Sequence, residues 1–143
     1  MSNFSINTSV TINAPVSEVW DAVTNPVQIK KYMFGTDTKS TWKVGEPIVF
    51  SGEWDGKPYE DKGIILAIEK EKLLKYNYWS NLSGTEDTPE NYADITYEME
   101  FKNGKTVFAV TQTGLKTEEA KAQSESNWGM LLGAVKEMLE KKD

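Results

Sequence analysis

The sequence predicts an α+β fold: a curved antiparallel sheet of about seven strands wrapped around one long C-terminal helix, with two short helices after the first strand. Three observations carry the prediction. Alternating apolar and polar residues recur through most of residues 42–113, separated by turn signals. Helical spacing is confined to residues 15–33 and to the stretch after Thr117. The chain has 143 residues, enough for one sizeable core, so residues 1–143 are read as a single domain.

Residues 4–12, "FSINTSVTI", form the first strand by their moderate alternation. Pro15 then suits a first helical turn, Glu18 sits near the positive end of the helix dipole, and Val16, Val19, Trp20 and Val23 fall on one face. Asn25-Pro26 stops this helix, and "VQIKKYM" forms a second short one. From Trp42 the period becomes strand-like. "EPIVFSGEW" places Ile48, Phe50 and Trp54 on one side, and "DGK" turns the chain because Gly56 accepts positive φ. The return strand, about 58–70, carries Ile64, Ile65, Leu66 and Ile68, and "EKEK" makes the next turn.

In "LLKYNYWS", Leu74, Tyr76 and Tyr78 are in phase. Residues 81–92, "NLSGTEDTPENY", read as a polar surface loop, either a lid or a simple connection. "ADITYEMEF" turns Ile95, Tyr97, Met99 and Phe101 inward, Asn103-Gly104 marks a tight hairpin, and "TVFAVTQTG" returns with Phe108, Val110 and Gln112 inward. Thr117 is a suitable N-cap for a helix reaching about residue 141, with Glu118 and Glu119 in its first turn.

An antiparallel sheet of this kind has one wet and one apolar face. The last helix is the only long amphipathic element able to cover the apolar face, and Trp128, Leu131, Leu132, Val135, Met138 and Leu139 share its apolar stripe. Gly129 and Gly133 interrupt the flank of that stripe at a cost of about 1 kcal/mol each against alanine. They predict close backbone approach to a neighbouring element; the alternative is a helix softened so that it can move.

Composition narrows the chemistry. The chain has no cysteine and no histidine, and all 16 of its basic residues are lysine. That removes Ser-His-Asp and Cys-His machinery, the usual zinc ligands and the guanidinium fork. A net charge of −6 opposes nucleic-acid binding, and no apolar run reaches the roughly 20 residues of a membrane span. Without cysteine or a signal-peptide pattern at the start, the cytoplasm is the expected compartment. No cofactor or metal is expected, and the remaining inventory favours binding over catalysis.

The order of elements, with "INAPVSEVWDAVTNP" near the start, resembles the helix-grip fold of the START-like and birch-pollen-allergen-like (SRPBCC) superfamily. More narrowly, "WKVGEPIVFSGEWDGKPYEDKGIILAIEKEKLLKYNY" and "SNWGMLLGAVKEMLE" resemble the proteins similar to the C-terminal domain of the activator of heat-shock protein 90 ATPase. That superfamily includes lipid and hormone carriers, cyclases and cochaperone domains, so the resemblance implies a fold first. Three functions follow from it: binding of a hydrophobic or aromatic small molecule such as a lipid, a chaperone-linked or stress-response interaction, and a cyclase-like or hydrolytic enzyme. The separate N-terminal domain of the eukaryotic cochaperone has no room in this sequence, which counts against direct stimulation of a heat-shock ATPase.

The fold implied by the resemblance places a cavity between the concave sheet and the last helix. Its expected walls are Phe50, Trp54, Leu66, Tyr76, Tyr78, Tyr97, Met99, Phe108 and Val110, with Gln112 a further polar group facing in. Trp128, Leu131, Leu132 and Val135 form the expected roof, and Tyr32, Phe34 and Trp42 close one end. Tyrosine and tryptophan suit a pocket for a mostly apolar ligand because each pairs a large apolar body with one polar handle. The same stripes also read as plain core. The hydroxyls of Tyr76, Tyr78 and Tyr97 need partners if buried, and a ligand or water would supply them. Asp61 and Glu60 are expected to be solvated.

Overall fold

The computed structural model describes residues 4–33, 35–54, 56–80 and 86–140, with the side chain of Trp54 outside that description. Chain order is β1 (Phe4–Ile12), α1 (Val16–Thr24), α2 (Pro26–Tyr32), β2 (Asp37–Ser40), β3 (Pro47–Trp54), β4 (Lys57–Glu69), β5 (Leu73–Ser80), β6 (Ala93–Lys102), β7 (Lys105–Leu115) and α3 (Glu118–Glu140). The strands form one sheet in the order β1-β7-β6-β5-β4-β3-β2, with every neighbouring pair antiparallel. The expected curved sheet with a long last helix is therefore the fold. The seventh strand is β2, whose polar sequence "DTKS" carries no alternation to mark it.

Local chemistry sets the boundaries. The Asn25 side chain accepts a hydrogen bond from the Val27 amide at 3.0 Å, so the residue that ends α1 also caps α2, with Pro26 in its first turn. Asn103 and Gly104, at φ of 53° and 78°, close the β6–β7 hairpin as a primed turn. Thr117 caps α3: its hydroxyl accepts from the Ala120 amide at 3.0 Å.

The core lies between the concave face and the helices. Ile6, Ile12, Phe108, Val110, Leu132 and Val135 are all buried in it, as are Val19 and Ile29 from the short helices. The C-terminal half of α3 is tied to β1 at its edge. Lys136 donates to the Thr11 carbonyl at 2.7 Å, and the Glu140 carboxylate accepts from the Asn13 amide at 2.7 Å.

β4 and β5 approach very closely at Gly63. A Cβ added at Gly63 would lie 1.6 Å from the Asn77 carbonyl oxygen, so only glycine permits this approach. The Asn77 side chain enters the ladder there, accepting from the Ile64 amide at 2.7 Å.

Two inward assignments are corrected. Leu66 is 40% exposed and Phe101 55% exposed. On β4 the inward residues are Tyr59, Asp61, Gly63 and Ile65, up to a bulge between Ile65 and Ala67, so Ile64 and Leu66 point outward. Phe101 pairs with Thr106 next to the tip of the β6–β7 hairpin, where it is left exposed.

The glycines of α3 are a third correction. A Cβ at Gly129 or Gly133 would meet nothing within 4 Å, so no close approach explains either.

Candidate functional site

The same curvature that lets the sheet close on the C-terminal half of α3 leaves a cavity of about 640 Å³ beside its N-terminal half. That volume falls within the range of about 300–1,000 Å³ common for small-molecule sites. One wall comes from β3, β4 and β5, through Phe50, Tyr59, Asp61, Tyr76, Tyr78 and Ser80. Ile95 and Gln112 form the floor, and Met33 and Thr36 the end near α2. The roof is the face of α3 bearing Ala120, Ser124, Trp128 and Leu131. Glu53, Gln123 and Asn127 are exposed as well as lining, and they mark the rim.

Among the side chains expected to line this space, Phe50, Tyr76, Tyr78, Gln112, Trp128 and Leu131 do so. Tyr97, Met99, Phe108 and Val110 are buried behind the lining, as are Leu132 and Val135 under the tied half of the helix. They complete the core. Tyr32 is also core, its hydroxyl donating to the Ala22 carbonyl at 2.8 Å. Trp42 packs against the core from a half-buried position. Leu66, on the outer face, is not part of the site. Trp54's side chain, Phe34 and residues 81–85 lie outside the described residues.

Tyr97 joins wall to roof. Its ring meets Tyr76, Phe108 and Trp128 edge to face, with centroids 5.7, 5.5 and 5.9 Å away. Its hydroxyl pairs with that of Tyr76 at 2.9 Å. The roof is latched to β7 through Gln112, whose side-chain oxygen accepts from Trp128 Nε1 at 2.7 Å and from Ser124 Oγ at 2.6 Å. Gln112 is thus a structural acceptor as well as a lining residue.

The tyrosine hydroxyls find partners inside the protein. Tyr76 and Tyr97 serve each other, and Tyr78 donates to Asp61 Oδ2 at 2.6 Å. Thr36 Oγ1 donates to the Met33 carbonyl at 2.6 Å and is hydrogen-bonded to the Tyr59 hydroxyl. Burial raises the phenol pKa of Tyr32, Tyr76 and Tyr78, reinforced for Tyr78 by the Asp61 carboxylate. Tyr97 is pushed up to about 12 by burial, against a smaller lowering by its bond to Tyr76. At neutral pH these phenols are uncharged hydrogen-bonding groups and cannot act as phenolate bases.

Asp61 is the lining residue that differs most from expectation. It is half-buried instead of solvated, facing inward opposite Phe50 on β3 and Ser80 on β5. Its parity with Ile65 was the available signal, hidden by the run of apolar residues from 64 to 66. The polar lining of α3, Gln123, Ser124 and Asn127, shares the cavity-facing side of the helix with Trp128 and Leu131, where apolar periodicity gives no sign of it.

A twisted antiparallel sheet gripping one helix, with an open-mouthed cavity under that helix, defines a helix-grip protein. The family model described as "Activator of Hsp90 ATPase homolog 1-like protein" matches residues 13–140, and the chain belongs to that family, within the START-like (SRPBCC) superfamily. ChR145 from Cytophaga hutchinsonii, solved in solution, is 42% identical, with a TM-score of 0.85 over 96% of this chain and 94% of that one. The Aha1 dimer from Colwellia psychrerythraea is 18% identical, with a TM-score of 0.77 over 96% and 97% of the two chains. CalU16 from Micromonospora echinospora is 21% identical, with a TM-score of 0.72 over 92% and 73%. The last two share the fold alone. No curated protein matches the sequence. Among the described residues, no helix is long and apolar enough to cross a membrane.

Proposed function

We propose that this chain is a small-molecule binding module that takes a mostly apolar, aromatic ligand between β3–β5 and the N-terminal half of α3. The observation that carries this reading is the cavity of about 640 Å³, walled by Phe50, Tyr76, Tyr78, Trp128 and Leu131. Large apolar surfaces with a few fixed polar groups are what such sites require. The uncharged phenols make carboxylate–tyrosine base catalysis the weaker alternative.

The test is a screen of planar apolar molecules read by residue-resolved NMR. Binding shifts Trp128 and Leu131 strongly and leaves Val135 and Phe108, behind the cavity wall, little changed. A screen in which no molecule moves Trp128 or Leu131 overturns the reading.

The family description favours a second reading, a chaperone-linked partner. Its test is an ATPase assay with the heat-shock protein 90 of the same cell. An unchanged rate at saturating protein counts against it.

A further inference from the structure

We propose that the cavity selects ligands whose apolar body carries a protonated amine, seated with its N–H against Asp61; this rests on the small-molecule reading and names the ligand's polar group. Three observations converge on Asp61. Asp61 lines the cavity; its Oδ2 accepts from the Tyr78 hydroxyl at 2.6 Å, and its Oδ1, shut off from the space, has no hydrogen-bond partner among the described residues, so a ligand reaches that oxygen as the carboxylate turns toward the cavity. A second carboxylate, Glu53, stands at the rim, so the described lining carries two acidic groups. No lysine is among its described lining residues, and the chain has neither arginine nor histidine to offer.

A carboxylate oxygen withdrawn from water without a donor is a costly arrangement. An ammonium group supplies the missing donor and the missing counter-charge together, in a charge-assisted hydrogen bond. The aromatic side chains Tyr76, Tyr78 and Trp128 in the lining are of the kind that attracts a cation. An alcohol supplies the donor alone. A carboxylate ligand, a fatty acid included, meets like charge and finds no basic residue among the described lining residues. The site thus discriminates by charge sign as well as by shape.

The experiment compares three probes with one ring system: naphthylmethylamine, naphthylmethanol and naphthoate. Each is titrated into the intact chain at neutral pH and followed at Trp128, Leu131 and the Asp61 side-chain carboxyl carbon. The expected result is that the amine binds about tenfold more tightly than the alcohol, corresponding to one charge-assisted hydrogen bond. Naphthoate should be weakest, and only the amine should move the Asp61 carboxyl resonance strongly. Asp61→Asn should reduce the amine's advantage to about twofold or less, whereas Glu53→Gln, which removes the same charge at the rim, should keep most of it.

Equal binding of amine and alcohol to the unmodified chain, with Trp128 and Leu131 shifted by both, overturns the amine preference while leaving the binding reading intact. An advantage lost equally in both variants overturns the assignment to Asp61. Failure of all three probes to move Trp128 or Leu131 counts against the binding reading itself and takes the amine preference with it. The comparison of probes on the unmodified chain decides the matter even if Asp61→Asn does not fold.

Discussion

Replacing Gly129 and Gly133 by alanine should stabilise this protein. Both residues lie in the interior of α3, neither has a positive φ, and the space around each prospective Cβ is open to 4 Å. Alanine therefore adds no clash and recovers the helix-interior penalty of glycine, about 0.8–1.0 kcal/mol per site. The two sites are one turn apart and share no partner, so the effects should add to about 2 kcal/mol. For a chain of this length that corresponds to a rise of about 7 °C in the melting temperature. Urea denaturation of the two single variants and the double variant measures it, with the midpoint rising and the slope unchanged. A destabilised single variant would refute the reasoning, because it would mean that a neighbour fills the space shown as open.

Three further outcomes are expected. Gly63→Ala should cost about 3 kcal/mol, since its Cβ would collide with the Asn77 carbonyl, and a neutral result in urea would show that the two strands are not in such close approach there. Gln112→Leu should cost about 2 kcal/mol by leaving Trp128 Nε1 and Ser124 Oγ without their acceptor, with faster hydrogen exchange at the Trp128 indole as the second readout.

Alkaline titration follows from the buried phenols. Tyr32, Tyr76, Tyr78 and Tyr97 ionise later in the folded chain than the ordinary value of about 10, so the unfolded chain loses protons first. Their contribution is intact below about pH 10 and is lost as pH rises toward the folded values, by about 1.4 kcal/mol per pH unit for each phenol. Tyr97→Phe should remove one proton from that slope in urea melts taken between pH 10 and 12.

Most of the fold could be read from the sequence because its elements carry strong periodic signals. Asn103-Gly104, Thr117 and the alternation of Ile95, Tyr97 and Met99 all describe the structure correctly. β2 escaped because its inward residue, Thr38, is polar like its neighbours, so burial alternates along the strand without any alternation of hydropathy. The site was harder to read, for a physical reason. Apolar patterning reports which side chains face inward, and core and cavity wall share that property. Tyr76 lines the space while Tyr97, its hydrogen-bonded neighbour, fills the core behind it.

The β4 strand shows the second obstacle. Ile64, Ile65 and Leu66 are all apolar, so periodicity cannot choose the phase, and a reading by period puts Leu66 in the wall where Asp61 belongs. The bulge after Ile65 removes any help from the far end of the strand. Polar lining residues such as Ser124 and Asn127 carry no apolar signal at all. The "NWGMLLGAV" stretch does divide as a stripe can: Trp128 and Leu131 face the cavity, and Leu132 and Val135 close the core.

The most direct test of the binding account is a crystal structure of the chain grown with the tightest-binding planar molecule from the screen. The account predicts electron density for the ring system between Phe50, Tyr76, Trp128 and Leu131, with any amine directed at Asp61. It would be contradicted by a cavity filled by the protein's own side chains, or by a ligand bound on the outer face of the sheet.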